Sequence, residues 1–139
     1  MPSFGTASLG RIETCHPEIQ EVCFEVIPVY DFTVIWGRRG EGPQDEAFAN
    51  GFSNVPWPES KHNAIEPLLS DAIDIAPWFT ARPHIRWDHE REFIQLSGYI
   101  LMAAAALGVE LTWGGDWDSD RDLYDRNLPF DLGHFERKK

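Results

Sequence analysis

The chain has 139 residues, 42% of them hydrophobic, with six Trp, which suits one folded domain over residues 1–139 and argues against disorder. A formal net charge of −11 is the wrong sign for neutralising phosphates, so neither nucleic acid nor an anionic membrane surface is expected as a partner. No apolar run approaches bilayer length, since the longest, residues 100–107, is half alanine.

The first residues, Met1-Pro2-Ser3-Phe4-Gly5, lack a basic stretch followed by an apolar one, so cytoplasmic synthesis is expected. His16-Pro17-Glu18 predicts a helix start, with Pro at the first helical position and an acid in the first turn. Ile19, Cys23 and Val26 then share one apolar face, and Pro28 ends the helix. Cys15 and Cys23 would stand about 12 Å apart on one helix. That is too far for a disulfide, so both are expected as buried free thiols.

Residues 32–36 read as a strand of β-branched and aromatic side chains. A short helix is expected over 43–50, stopped by Gly51. Residues 52–69 hold four Ser and Asn, three Pro and one Trp, the composition of a long irregular loop that carries function. A strand over 72–76 is closed by Pro77. A long helix over 88–107 ends at Gly108. Strands are expected at 110–113 and 132–136, flanking an acidic Gly/Asp loop. Helices this few cannot cover both faces of a parallel sheet. The fold class is therefore α+β, a small mainly antiparallel sheet with helices on one side.

Two fragments concentrate the chemistry: Ser60-Lys61-His62-Asn63 with Ser70 to Pro77, and Trp113-Gly114-Gly115-Asp116-Trp117 with Asp131-Leu132-Gly133-His134-Phe135-Glu136. They offer a loop His, a strand Asp and a second His near the chain end. Two imidazoles and a carboxylate are a common three-ligand zinc set with an open fourth position for water. A carboxylate three residues before the second His would serve as a general base. Five His residues allow several such triples, and spacing alone does not choose among them.

The same fragments resemble the zinc peptidases that include lysostaphin, D-alanyl-D-alanine carboxypeptidases and hedgehog-type domains, most closely the phage L-alanyl-D-glutamate endopeptidases. The shared pattern comprises Gly37-Arg38-Arg39, Gln44, Gly51-Phe52-Ser53, Ser60-Lys61-His62, Ala72-Ile73-Asp74, the Trp113 to Trp117 run, and Asp131 to Glu136. The resemblance implies that fold, with zinc held by His62, Asp74 and His134 and Asp131 as general base. It further implies Arg39 as the group facing the oxyanion, with Arg38, Gln44 and Ser53 binding substrate or bracing the site. His62 and Asp74 are twelve residues apart, where many relatives have seven, and the extra residues fall around 64–69.

The implied activity is hydrolysis of a stem-peptide bond in bacterial peptidoglycan, the bond between L-alanine and D-glutamate, by a monomeric phage or prophage endolysin released through a holin pore. Two alternatives stand beside it: a D,D-carboxypeptidase in which Arg38 grips a terminal carboxylate, and a non-catalytic virion or binding protein. Asp71 is the rival of Asp74 and is expected to face solvent. His16, His84 and His89 read as structural or exposed, and Trp113 and Trp117 as core. Asp116 is a candidate for orienting a ligand. The run Asp116, Asp118, Asp120, Asp122 lacks the Gly and closing Glu of an EF-hand.

Overall fold

The computed structural model describes residues 1–123 and 131–138. Helices α1 (Thr6–Ile12) and α2 (Pro17–Val26) precede strand β1 (Phe32–Trp36). Helix α3 (Glu41–Ala49) leads into the irregular segment, after which come β2 (Ala72–Pro77), α4 (Glu90–Leu107), β3 (Leu111–Trp113) and β4 (His134–Arg137). The strands form one sheet in the order β1-β2-β4-β3, and every neighbouring pair is antiparallel.

Side-chain alternation divides the sheet into an oily and a chemical face. Phe32, Val34, Ile73, Ile75, Leu111, Trp113 and Phe135 join one core with residues of α1, α2 and α4, and no α3 residue belongs to it. Ile73 and Ile75 are 3% and 1% exposed, and burying a side chain of that size contributes about 2–3 kcal/mol. Between them in sequence, Asp74 must point the other way. Register completes the arrangement, because Asp74 lies directly opposite His134 on β4.

Helix α4 begins at Glu90, two residues later than expected, with His89 at the N-cap position and no side-chain cap bond. It ends on Gly108 at φ 72°, a left-handed conformation that Gly adopts without steric penalty. Helix α1 is absent from the sequence reading. It has no side-chain cap and no acid in its first turn, so it lacks the local signals by which a helix start is recognised. Tertiary contacts hold it: Ser8 Oγ accepts from the Val34 N–H at 3.1 Å, and Arg11 Nη1 donates to the Val34 carbonyl at 2.8 Å. It thereby occupies backbone groups of the edge strand β1.

Cys15 and Cys23 are free and buried, as expected, although Cys15 precedes α2 and does not share that helix. Burial pushes the Cys15 thiol up to about 12 and raises Cys23 as well. Neither is expected to react with iodoacetamide near pH 8 until the chain is unfolded, and labelling of the native protein read by mass would contradict this. The sign of the linkage follows. Unfolded thiols ionise first, so this contribution to stability is whole below about pH 9 and is lost as pH rises towards 12. Among the described residues no helix is long and apolar enough to cross a membrane.

Candidate metal centre

His62 reaches the chemical face of the sheet from the irregular segment. Its backbone carbonyl accepts from the Arg39 N–H at 2.8 Å, its own N–H donates to Ser60 Oγ at 3.2 Å, and the Asp71 N–H holds the Lys61 carbonyl at 3.0 Å. This stitching brings His62 beside Asp74 and His134, with donor atoms of all three within 4.8 Å of one another. His62 and His134 are buried, 3% and 8% exposed.

Hydrogen bonding fixes which nitrogens face inward. His62 Nδ1 lies 2.8 Å from the Gly37 carbonyl, which can only accept, so Nδ1 carries the hydrogen. Nε2 then presents a lone pair 3.2 Å from Asp74 Oδ2 and has no hydrogen-bond partner among the described residues. Two such acceptors are stable side by side only with a cation between them. Donor atoms of a tetrahedral zinc with bonds of about 2.1 Å stand about 3.4 Å apart, close to this separation.

His134 poses the same question more sharply. Nε2 lies 2.8 Å from Glu136 Oε1 and Nδ1 lies 2.9 Å from Asp74 Oδ1. Both nitrogens therefore need a hydrogen or a metal. Burial opposes the charged ring, but the bonds to Asp74 and Glu136 outweigh it and push the His134 pKa up to about 9. Asp74 is also buried, yet when protons take the place of the metal the charge and hydrogen bonds of the two imidazoles hold it well below the usual carboxylate range. The donor set fits a divalent metal that displaces the Nδ1 proton while Glu136 keeps the Nε2 hydrogen. Glu136 is in turn held by Lys61 Nζ at 3.2 Å from Oε2. Metal uptake near pH 7 is accordingly expected to release about one proton from His134. Calorimetry in buffers of different ionisation enthalpy would detect it, and an uptake with no proton release would contradict this assignment.

Arg39 flanks the cluster, 7% exposed. Its Nη2 is 3.4 Å from Asp74 Oδ2, its Nη1 donates to Gln44 Oε1 at 3.0 Å, and its guanidinium lies 4.8 Å from the centre of the Trp36 ring. Gln44 is fully buried and spends its amide on Ser53 Oγ and the Val55 carbonyl, at 2.8 and 2.7 Å. Gln44 and Ser53 therefore sit behind Arg39 as a brace. Of the two arginines, Arg39 lines the cleft beside Asp74 and Asp131. Arg38 is not among the described lining residues, and its Nη1 donates to the Leu68 carbonyl of the extended segment at 3.0 Å.

Asp131 opens onto the same cleft. The Asp-x-x-His spacing is a turn, in which the His134 N–H donates to the Asp131 carbonyl at 3.1 Å and the Asp131 N–H to the Gly114 carbonyl at 2.9 Å. The approach is so close that a Cβ on Gly114 would strike the Asp131 carbonyl, and one on Gly133 the Ile75 carbonyl. Burial, with help from the Asp74 charge, pushes the Asp131 pKa up, partly offset by His134, His62 and Arg39.

The other candidates have ordinary employment. His16 and His89 occupy helix-capping positions, and His84 Nδ1 meets the Phe79 carbonyl while its ring stacks on Trp78. Asp71 pairs with Arg137 at 2.8 Å. Trp113 is in the core, whereas Trp117 lies 5.4 Å from the His134 ring. Asp116, a candidate for orienting a ligand, accepts from the Asp120 and Arg121 N–H groups and so closes its own loop. Asp116, Asp118 and Asp120 form a second carboxylate group. The sequence assigns no role to Glu136, or to Asn63, whose amide donates to Gln44 Oε1 at 3.0 Å behind Arg39. The signal for Glu136 was present, since residues two apart on a strand share a face.

The chain is 32% identical over 138 residues, covering 96% of both chains, to the L-alanyl-D-glutamate peptidase of Escherichia phage T5. Its fold matches the crystal structure of the Serratia marcescens L-Ala D-Glu endopeptidase ChiX with a TM-score of 0.72 at 22% identity, over 96% of this chain and 88% of that one. Residues 2–137 match the family described as phage L-alanyl-D-glutamate peptidase, and the chain belongs to that family.

Proposed function

We propose that this protein hydrolyses the bond between L-alanine and D-glutamate in the peptidoglycan stem, with zinc held by His62 Nε2, an Asp74 oxygen and His134 Nδ1. The observation that carries this reading is that ligand atoms of His62, Asp74 and His134 lie within 4.8 Å of one another, with the two imidazoles held in their tautomers by Gly37 and Glu136. Family membership supplies the bond. Bound there, zinc supplies a Lewis acid that polarises a carbonyl and makes a water acidic near neutral pH.

The chain's own residues do the rest. Asp131 takes a proton from the attacking water and returns it to the departing amine. A carboxylate whose proton affinity is raised by burial and by Asp74 suits a group that must hold a proton between two steps. Arg39, gripped by Gln44 and backed by Trp36, presents a fixed positive charge where the scissile oxygen becomes negative. Membership of a phage family supports a lytic role, reached after release from the cytoplasm.

Digestion of purified sacculi by the zinc-loaded protein, with fragments read by mass spectrometry, tests the assignment. New amino termini on D-glutamate are expected. Free D-alanine, or sacculi left intact, would overturn it.

A further inference from the structure

The cleft over Asp74 and Asp131 has a volume of about 710 Å³, room for a short stretch of peptide. Arg39 is the one cation among its described lining residues. It is more than nine-tenths buried, and its Nε has no hydrogen-bond partner among the described residues. Its charge is already faced by Asp74 Oδ2 at 3.4 Å, and in the proposed reaction it faces the scissile oxygen.

The walls also carry the opposite charge. Glu46 from α3 and Glu90 from the first turn of α4 line the cleft. Asp74 and Asp131 have work at the metal and the reacting bond, but Glu46 and Glu90 have none there. Neither carboxylate makes a hydrogen bond or ion pair among the described residues. Phe52 and Trp87 line the same cleft, 85% and 63% exposed, with the Trp87 ring stacked on Phe93 at 6.0 Å between centroids. Carboxylates without a protein partner and exposed aromatic rings lining one cleft favour an alkylammonium, which draws on both ion pairing and the ring quadrupole.

We infer that Glu46 and Glu90 bind the free side-chain ammonium of the diamino acid that follows D-glutamate in the stem. The inference rests on the proposed cleavage site and deepens it. With Arg39 facing the scissile oxygen, Glu46 and Glu90 supply lining charge of the sign that a protonated amine one residue beyond the D-glutamate requires. A stem whose amine is acylated by a cross-link presents no charge to these carboxylates, so uncross-linked stems are the preferred substrate.

The test compares cleavage of the tripeptide L-Ala-γ-D-Glu-L-Lys with its ε-amine free or acetylated, by the zinc-loaded native protein and by the double variant Glu46→Gln, Glu90→Gln. Native kcat/KM is expected to be about tenfold higher for the free amine, the scale of two partly exposed ion pairs. The preference should shrink as ionic strength rises. In the double variant the two peptides should come within about twofold of each other. Both side chains are exposed, so the variant is expected to fold and to hold zinc as the native protein does, which metal analysis checks. Equal native rates for the two peptides, or a preference that survives the double substitution, would overturn the inference and leave the cleavage site standing. A native protein that cuts neither peptide nor sacculi would instead bring down the proposed function, and this inference with it.

Discussion

The Asp131→Ala protein is expected to bind zinc like the native chain and to lose about three orders of magnitude in kcat, within the range that a positioned general acid–base supplies. The substitution is a clean one because the turn at Asp131 is made by its backbone. The Asp131 N–H bonds the Gly114 carbonyl and the Asp131 carbonyl accepts from His134, and Ala preserves both. No hydrogen bond of the carboxylate itself is among those described. Metal analysis and steady-state cleavage kinetics on the same preparation measure the two quantities separately. Cleavage within tenfold of native would show that another group moves the proton.

The complementary result is expected of His62→Ala, which should lose metal and activity together. Removing the imidazole leaves Asp74 with one histidine in place of two and opens a cavity in a site that is 3% exposed at this position. Zinc affinity should fall by more than about 100-fold, the upper end of what loss of an outer hydrogen-bond partner costs. Glu136→Ala provides the contrast. It removes the acceptor that holds His134 in its tautomer, at 2.8 Å, without removing a donor atom. A loss of about 10–100-fold in zinc affinity is expected there. If the two variants weakened zinc equally, the distinction between ligand and orienting partner would be wrong. Competition with a chromophoric chelator reads both affinities.

Much of this molecule is legible from residue order, for identifiable reasons. Strand β2 declares itself through Ile73 and Ile75, and the acid between them can only face away from the core. The long helix is announced by its apolar spacing and by Gly108, which takes up the left-handed turn. The Asp131-to-His134 spacing is legible because it is a single turn closed by one backbone bond. What escapes the sequence depends on contacts between distant segments. Helix α1 has no capping signal and is held by Ser8 and Arg11 on β1, 23 to 26 residues away in sequence. The choice between Arg38 and Arg39 cannot be made from adjacent positions, because it turns on Gln44 holding one guanidinium and Leu68 the other. Asp116 reads like a ligand-orienting group, yet its loop folds back so that the carboxylate meets the N–H groups of Asp120 and Arg121. The need for Gly at 114 is likewise invisible until Asp131 is seen to press against it.

The pairing of acceptors in the centre makes a quantitative demand. His62 Nε2 and Asp74 Oδ2 face each other at 3.2 Å, and His134 Nδ1 and Asp74 Oδ1 at 2.9 Å. In the metal-free chain, protons must separate them. His134 is the group whose pKa is pushed up to about 9, so acid favours the metal-free state and zinc affinity should rise as pH increases towards that value.

The metal content of the native protein, measured by mass spectrometry of the element after reconstitution and removal of excess, tests the central claim most directly. About one zinc per chain is expected, falling to a small fraction in His62→Ala. A native protein that retains no zinc, or a His62→Ala protein that retains as much as the native, would contradict the assignment of His62, Asp74 and His134 as a metal site.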